Sequence, residues 1–230
     1  MNKNDNLNIL VSGGAGFVGS NIVNAYIENG HRVWVADNLS SGFIENLNPK
    51  ADFFNIDIRD EKLENIFKKV NFNIVNHHAA QTNIRKSLEN PIFDSQVNVI
   101  GTLNILESCK KYNIKKIIFA SSGGAIYGES EFPKKEIDKK KPISPYGIAK
   151  YANELYIEFY TSTYNISYSI LRYSNIYGYR QNVNGEIDVI SNFINKILNN
   201  EKVNIYGDGN QIRDYIFIED VVKANLNTLD

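Results

Sequence analysis

Apolar positions along this chain follow two periods in turn. Short continuous apolar runs at 7–11, 32–36, 52–56, 73–76, 116–120 and 167–172 read as buried strands. Helical spacing fills the gaps, most clearly where Phe17, Val18, Ile22, Val23, Tyr26 and Ile27 mark one face. A short polar helix is expected over 60–69 and a long one over 92–112. Another long helix opens at Ser144-Pro145, an N-cap followed by proline at the first helical position. Strand and helix alternating in this way predict an α/β fold, a doubly wound parallel sheet of the Rossmann type. After residue 180 the pattern loosens, with a helix near 189–198, a short strand at 203–206 and a last helix from Glu219. The expected division is therefore a sheet domain over 1–180 and a small, C-terminally incomplete lobe over 181–230. No internal repeat interrupts it.

The first strand–helix–strand unit carries specific chemistry. Leu10-Val11-Ser12-Gly13-Gly14-Ala15-Gly16-Phe17-Val18-Gly19 joins strand to helix, and Asp37 ends the next strand, 24 residues after Gly13. Glycine serves three needs there: a tight turn, close approach of backbone N–H groups to a pyrophosphate, and close packing of helix on strand. A carboxylate at the second strand end accepts hydrogen bonds from ribose hydroxyls and repels a 2′-phosphate. The unit predicts a dinucleotide site selective for NAD over NADP.

Composition narrows the partners. With 230 residues, 43% hydrophobic and 22% charged, the chain can bury a sizeable core, and its net charge of −1 gives no pull toward nucleic acid or an anionic membrane. The single cysteine, Cys109, cannot form an intrachain disulfide, and the polar start Met1-Asn2-Lys3-Asn4-Asp5-Asn6 precedes no stretch long enough to span a bilayer. A soluble cytoplasmic protein is expected. The lysine-rich stretch 133–142 reads as a solvated loop. His77 and His78 read as structural, since no third residue completes a metal site.

Tyr146 and Lys150 stand four apart at the start of a helix and so share a face. A free tyrosine titrates near pH 10, but a nearby ammonium and a nicotinamide cation both favour its phenolate. With a serine hydroxyl from Ser121-Ser122, such a pair can take a proton from an alcohol while hydride leaves its carbon.

Taken together, these segments resemble the NAD-dependent epimerase/dehydratase family of extended short-chain dehydrogenases. The resemblance runs nearly the whole chain, through Gly13 to Gly19, Asp37-Asn38-Leu39-Ser40-Ser41-Gly42, Asp57-Ile58-Arg59-Asp60 and His78-Ala79-Ala80-Gln81. It continues through Asn98-Val99-Ile100-Gly101-Thr102, Ser121 to Gly128, Ser144 to Lys150, Leu171 to Gly178 and Tyr206 to Asp214. It implies NAD held by Gly13, Gly16, Phe17 and Val18 at the pyrophosphate, Asp37 and Asn38 at the ribose, and Asp57 and Ile58 at the adenine. Ala79, Ala80, Gln81 and Asn98 are implied on the nicotinamide side, and Ser121 and Ser174 as further cofactor contacts. Tyr146 is implied as base, with Lys150 as its charged partner and ribose ligand. Ser122, Tyr146, Asn175, Tyr206 and Arg213 are implied as contacts of a UDP-sugar.

The implied reaction is inversion at C4 of a UDP-hexose, plain or N-acetylated. A homodimer through the helices near 92–112 and 146–163 is also implied. Ser122 lies five residues before Tyr127, where many relatives have four, so the hydroxyl role stays open between Ser121 and Ser122. Dehydrating relatives carry an acidic pair where this chain has Gly123-Gly124. Relatives also run on beyond the equivalent of Asp230, from which weak hold on UDP-sugar is expected.

Overall fold

In a computed structural model, residues 6–129, 133–182, 189–205 and 207–229 are described. They form β1 (Asn8–Ser12), α1 (Phe17–Glu28), β2 (Arg32–Asp37), β3 (Asp52–Asn55), α2 (Glu64–Lys69) and β4 (Ile74–His77). Next come α3 (Ile84–Glu89), α4 (Pro91–Ser95), a π-helical turn (Gln96–Ile100), α5 (Gly101–Lys111), β5 (Lys116–Ser122) and α6 (Gly123–Ile126). The chain continues through α7 (Pro145–Tyr164), β6 (Ser167–Tyr173), β7 (Asn175–Tyr177), α8 (Val189–Leu198), β8 (Tyr215–Phe217) and α9 (Ile218–Asn227).

Six strands make one sheet in the order β3-β2-β1-β4-β5-β6, every pair parallel. The expected doubly wound fold is therefore present. The strand order reverses direction between β1 and β4, where an open α/β sheet leaves a crevice at its strand ends. Side-chain alternation splits the core into two layers. Leu10, Trp34, Val75 and Ile117 lie in register on the face covered by α2, α5 and α7, with Ile105, Leu106 and Ile157. Ile9, Val33 and Ile74 face α1 and its Ile22, Val23 and Tyr26.

Four local departures have physical causes. The expected helix over 92–112 is interrupted by the π-helical turn, and Asn98 O, inside that turn, accepts from Thr102 Oγ1 at 2.6 Å and Asn153 Nδ2 at 2.8 Å. The strand expected at 203–206 does not form among its described residues, where Ile205 is 64% exposed and pairs with no strand. β7 and β8 instead make a small parallel sheet of their own. The 180/181 boundary is also not a spatial one. α9 packs back on the α1 layer, with Val222, Leu226 and Leu229 joining that cluster, and Asn225 Oδ1 accepts from Asn76 Nδ2 of β4 at 2.9 Å.

Gly19 shows how closely α1 approaches the turn before it: a Cβ there would sit 2.2 Å from Gly13 O, which is backbone and cannot step aside. Gly19→Ala is expected to cost about 1–3 kcal/mol, or roughly 2–12 °C in Tm, read by thermal unfolding. An unchanged Tm would show that the helix can slide off the turn freely.

Candidate active site

The crevice at the β1/β4 reversal is a cavity of about 630 Å³, within the usual range for small-molecule sites of about 300–1,000 Å³. Its floor begins at Gly13, whose φ of +74° suits glycine, and where a Cβ would meet Ala79 N at 2.6 Å. α1 then starts at Gly16 with no side-chain cap and no acidic residue in its first turn. Its first N–H groups and the positive end of its dipole are thus left for an anion.

Asp37 closes one side. Its Oδ2 accepts from Ala15 N at 3.0 Å and its Oδ1 from Leu39 N at 2.8 Å, which fixes the carboxylate against the glycine turn. Farther out, Asn38 Nδ2 donates to Asp57 Oδ2 at 2.8 Å, and Arg59 grips the same carboxylate at 2.7 and 2.9 Å. That guanidinium holds Asp57 down at about pKa 2. The loop after β2 is sewn down as well, through Phe43 N and Asn46 Nδ2 to Ala15 O at 3.1 Å each.

The opposite wall comes from β5, α7 and β6. Ser144 Oγ accepts from Gly147 N at 3.1 Å, the predicted N-cap, and α7 presents Tyr146 and Lys150 to the cavity. Lys150 is 4% exposed; its Nζ donates to Ala120 O at 2.7 Å and lies 5.8 Å from the Tyr146 ring centre. Burial lowers its pKa to about 8, against the pull of Asp94 and Glu154, so the ammonium keeps its charge at pH 7.

The structure separates the two serines. Both border the cavity, but Ser121 Oγ donates to the buried Glu154 Oε1 at 2.5 Å, whereas Ser122 is not drawn into that bond. The hydroxyl proton of Ser121 is thus committed to Glu154, while its oxygen lone pairs stay available as acceptors.

Of the other expected contacts, Gly16, Phe17, Val18, Ile58, Ala79, Ala80, Ser174 and Asn175 also border the cavity. Gln81 and Asn98 do not. They lie behind the wall, bonded to each other (Gln81 N to Asn98 Oδ1, 2.8 Å) and both donating to the buried Asp94 Oδ1. Arg213 is exposed and donates to Ile212 O at 2.8 Å, away from the cavity wall, and Tyr206 lies outside the described residues. His77 is structural. Thr102 Oγ1 donates to Asn98 O and so accepts from His77 Nε2–H at 2.9 Å, which leaves Nδ1 to accept from Ser12 Oγ at 2.7 Å. His78 stacks on Tyr173 at 6.1 Å, and burial lowers its pKa to about 3.

Sequence reasoning missed Thr82, Val97, Tyr173, Ile176 and Arg180 on the cavity wall. It also missed the buried Asp94 and Glu154 and the half-buried Arg172 behind it. Glu154 did leave a signal, standing eight residues after Tyr146 on the same helical face.

Known proteins share this fold. A Methanocaldococcus jannaschii protein, provisionally named a UDP-glucose 4-epimerase, is 54% identical over 226 residues, covering 96% of this chain and 73% of its own length. The crystal structure of a Thermotoga maritima UDP-glucose 4-epimerase with UDP-glucose superposes with a TM-score of 0.95 at 48% identity, over 97% of this chain and 74% of that one. A Thermus thermophilus UDP-glucose 4-epimerase solved with NAD gives a TM-score of 0.93 at 39% identity, over 97% and 74%. The family model for the NAD dependent epimerase/dehydratase family matches residues 9–230. With that match and this site, the chain belongs to the NAD dependent epimerase/dehydratase family.

Proposed function

We propose that the chain is a nucleotide-sugar 4-epimerase acting on a UDP-hexose. The observation that carries it is the placing of Tyr146 and the Lys150 ammonium on one face of α7, across one cavity from an uncapped helix N-terminus and Asp37. The residues fit NAD: a pyrophosphate suits the Gly13 turn and the first N–H groups of α1, and a ribose diol suits Asp37. When bound, NAD supplies a two-electron acceptor that takes hydride from sugar C4 and gives it back.

Tyr146 takes the proton from the C4 hydroxyl and returns it to the same oxygen after the 4-keto sugar has turned over. Lys150 stabilises the phenolate by charge, and Ser122 shares the hydrogen bond to that oxygen. No net oxidation results. Dehydration would need an acid beside Ser122, and Gly123 and Gly124 offer none. A pure binding protein would have no use for a charged lysine buried beside a tyrosine.

The helices expected to dimerise carry an apolar outer face. Ile92, Phe93 and Ile100 on one side, and Ile148, Leu155 and Phe159 on α7, are each at least 40% exposed. We assign this face to a second copy of the chain. No helix among the described residues is long and apolar enough to cross a membrane. The fully buried, lone Cys109 suits a reducing compartment, and we assign the cytoplasm.

Mixing the purified chain and NAD with UDP-glucose, UDP-galactose and their N-acetyl forms, with products read by NMR, tests the reaction. C4 epimers are expected; a 6-deoxy-4-keto product would overturn the assignment. Tyr146→Phe should retain NAD affinity and lose roughly 10²–10⁴-fold in kcat, and near-normal turnover would place the base elsewhere. NADP should bind roughly tenfold or more weakly than NAD, because Asp37 faces the added phosphate. Equal affinities by calorimetry would remove that role. Leu155→Glu with Phe159→Glu should turn a dimer into a monomer in sedimentation velocity, while a monomeric unaltered chain would refute the interface.

A further inference from the structure

Three consecutive residues at the end of β5 are engaged differently by α7 and the cavity. Ala120 O accepts from Lys150 Nζ at 2.7 Å, Ser121 Oγ donates to Glu154 Oε1 at 2.5 Å, and Ser122 borders the cavity. Tyr146, Lys150 and Glu154 recur every four residues, so one stripe of the helix runs along the strand end.

Glu154 is 1% exposed, and a second cation-bearing group reaches it from β6. Arg172 donates through Nε to Oε1 at 2.9 Å and through Nη2 to Oε2 at 2.7 Å. Its Nη1 then donates to Tyr127 Oη at 2.7 Å. The segment from Ser121 to Tyr127 is therefore tied to one carboxylate at both ends, directly at Ser121 and through Arg172 at Tyr127. Between the ties lie Gly123, where a Cβ would meet Arg172 O at 3.1 Å, and Gly124, where it would meet nothing within 4 Å. They open the four-residue α6, and two glycines at its start lower the stiffness of so short a helix.

We propose that Glu154, held by Arg172, is a positioning residue that clamps the Ser121–Tyr127 segment and so keeps the Ser122 hydroxyl in register with Tyr146. The proposal rests on Ser122 as the hydroxyl partner. Stability alone does not call for such a pair, since a buried ion pair is worth little more than apolar residues of the same volume. A two-point guanidinium–carboxylate contact fixes distance and angle, which apolar packing does less sharply. Register matters because displacement by about 1 Å can cost on the order of 10²-fold in rate.

A double-mutant cycle of Glu154→Gln and Ser122→Ala tests the clamp, with kcat and KM for UDP-galactose, NAD affinity and amide hydrogen exchange measured for each. Glu154→Gln keeps the side-chain shape and loses the charge that Arg172 grips. In that variant kcat should fall roughly 10–100-fold, while KM and the NAD Kd stay within about two-fold. Exchange of the 122–127 amides should speed up about tenfold or more, with α1 and β1 unchanged. In the Ser122→Ala background, Glu154→Gln should add less than about two-fold.

Full additivity, an unchanged kcat in Glu154→Gln beside a slow Ser122→Ala, or faster exchange spread through β1 and α1 would each overturn the clamp. Wild-type kcat in Ser122→Ala would overturn the premise on Ser122, and the clamp with it. Should Glu154→Gln fail to fold, Ser121→Ala removes only one tie and takes its place in the cycle, with the same non-additivity expected.

Discussion

No side chain fits between the turn after β1 and the chain leaving β4. A Cβ on Gly13 would lie 2.6 Å from Ala79 N and 2.8 Å from His78 C, backbone atoms that the sheet holds in place through the β1–β4 register. This contact sets the floor of the cavity at the point where the strand order reverses. It brings the start of α1 close enough for N–H groups to meet a ligand, and aligns the ends of β4 and β5 with it. Gly13 N also donates to Ala36 O at 2.8 Å, so the same turn fixes where β2 ends and where Asp37 points.

The opposite wall is built from charge taken out of water. Lys150, Asp94 and Glu154 are each less than 5% exposed, and the protein compensates each differently. Glu154 has Arg172. Asp94 receives two amide donors, Gln81 and Asn98, on one oxygen, and its Oδ2 has no hydrogen-bond partner. Lys150 has a carbonyl and two rings, Phe119 at 4.9 Å and Tyr146 at 5.8 Å. Its folded pKa of about 8 lies below the ordinary 10.5, so the unfolded chain binds more protons between those values. The cost of burying the ammonium is thus fully present below about pH 8 and fades as pH rises toward 10.5. A fold selected for stability alone would have no reason to keep it, which agrees with the role proposed for Lys150 beside Tyr146.

What was legible in the sequence had a local cause. Gly13 to Gly19 and Asp37 declare a strand–turn–helix–strand unit through backbone sterics, and Ser144-Pro145 declares the start of α7 through its cap. The two-layer sheet follows from apolar periodicity. Features that depend on distant partners were not legible. The π-helical turn at 96–100 has no composition signal, and its Asn98 carbonyl is explained only once Asn153 of α7 is brought beside it. Gln81 and Asn98 sit in family-like segments, but Asp94 draws their side chains behind the wall. Ser121 and Ser122 cannot be told apart along the chain because the bond that distinguishes them goes to Glu154, 33 residues on.

The 180/181 boundary fails for a related reason. Beyond β6 the chain leaves the main sheet to make β7 and β8, then returns as α9 against α1. The return is specified by a buried polar group. Asn225 accepts from Asn76 of β4 and donates to Tyr173 Oη of β6 at 2.7 Å, and Asn76 also donates to Tyr26 Oη of α1 at 2.7 Å. A buried amide that must satisfy partners on two strands allows one docking position, where an apolar helix face alone would tolerate sliding. Tyr173 is also a wall of the cavity and stacks on His78. The helix that ends the described chain therefore fixes one wall of the cavity, and residues 207–229 are joined to the main sheet by one hydrogen-bonded core.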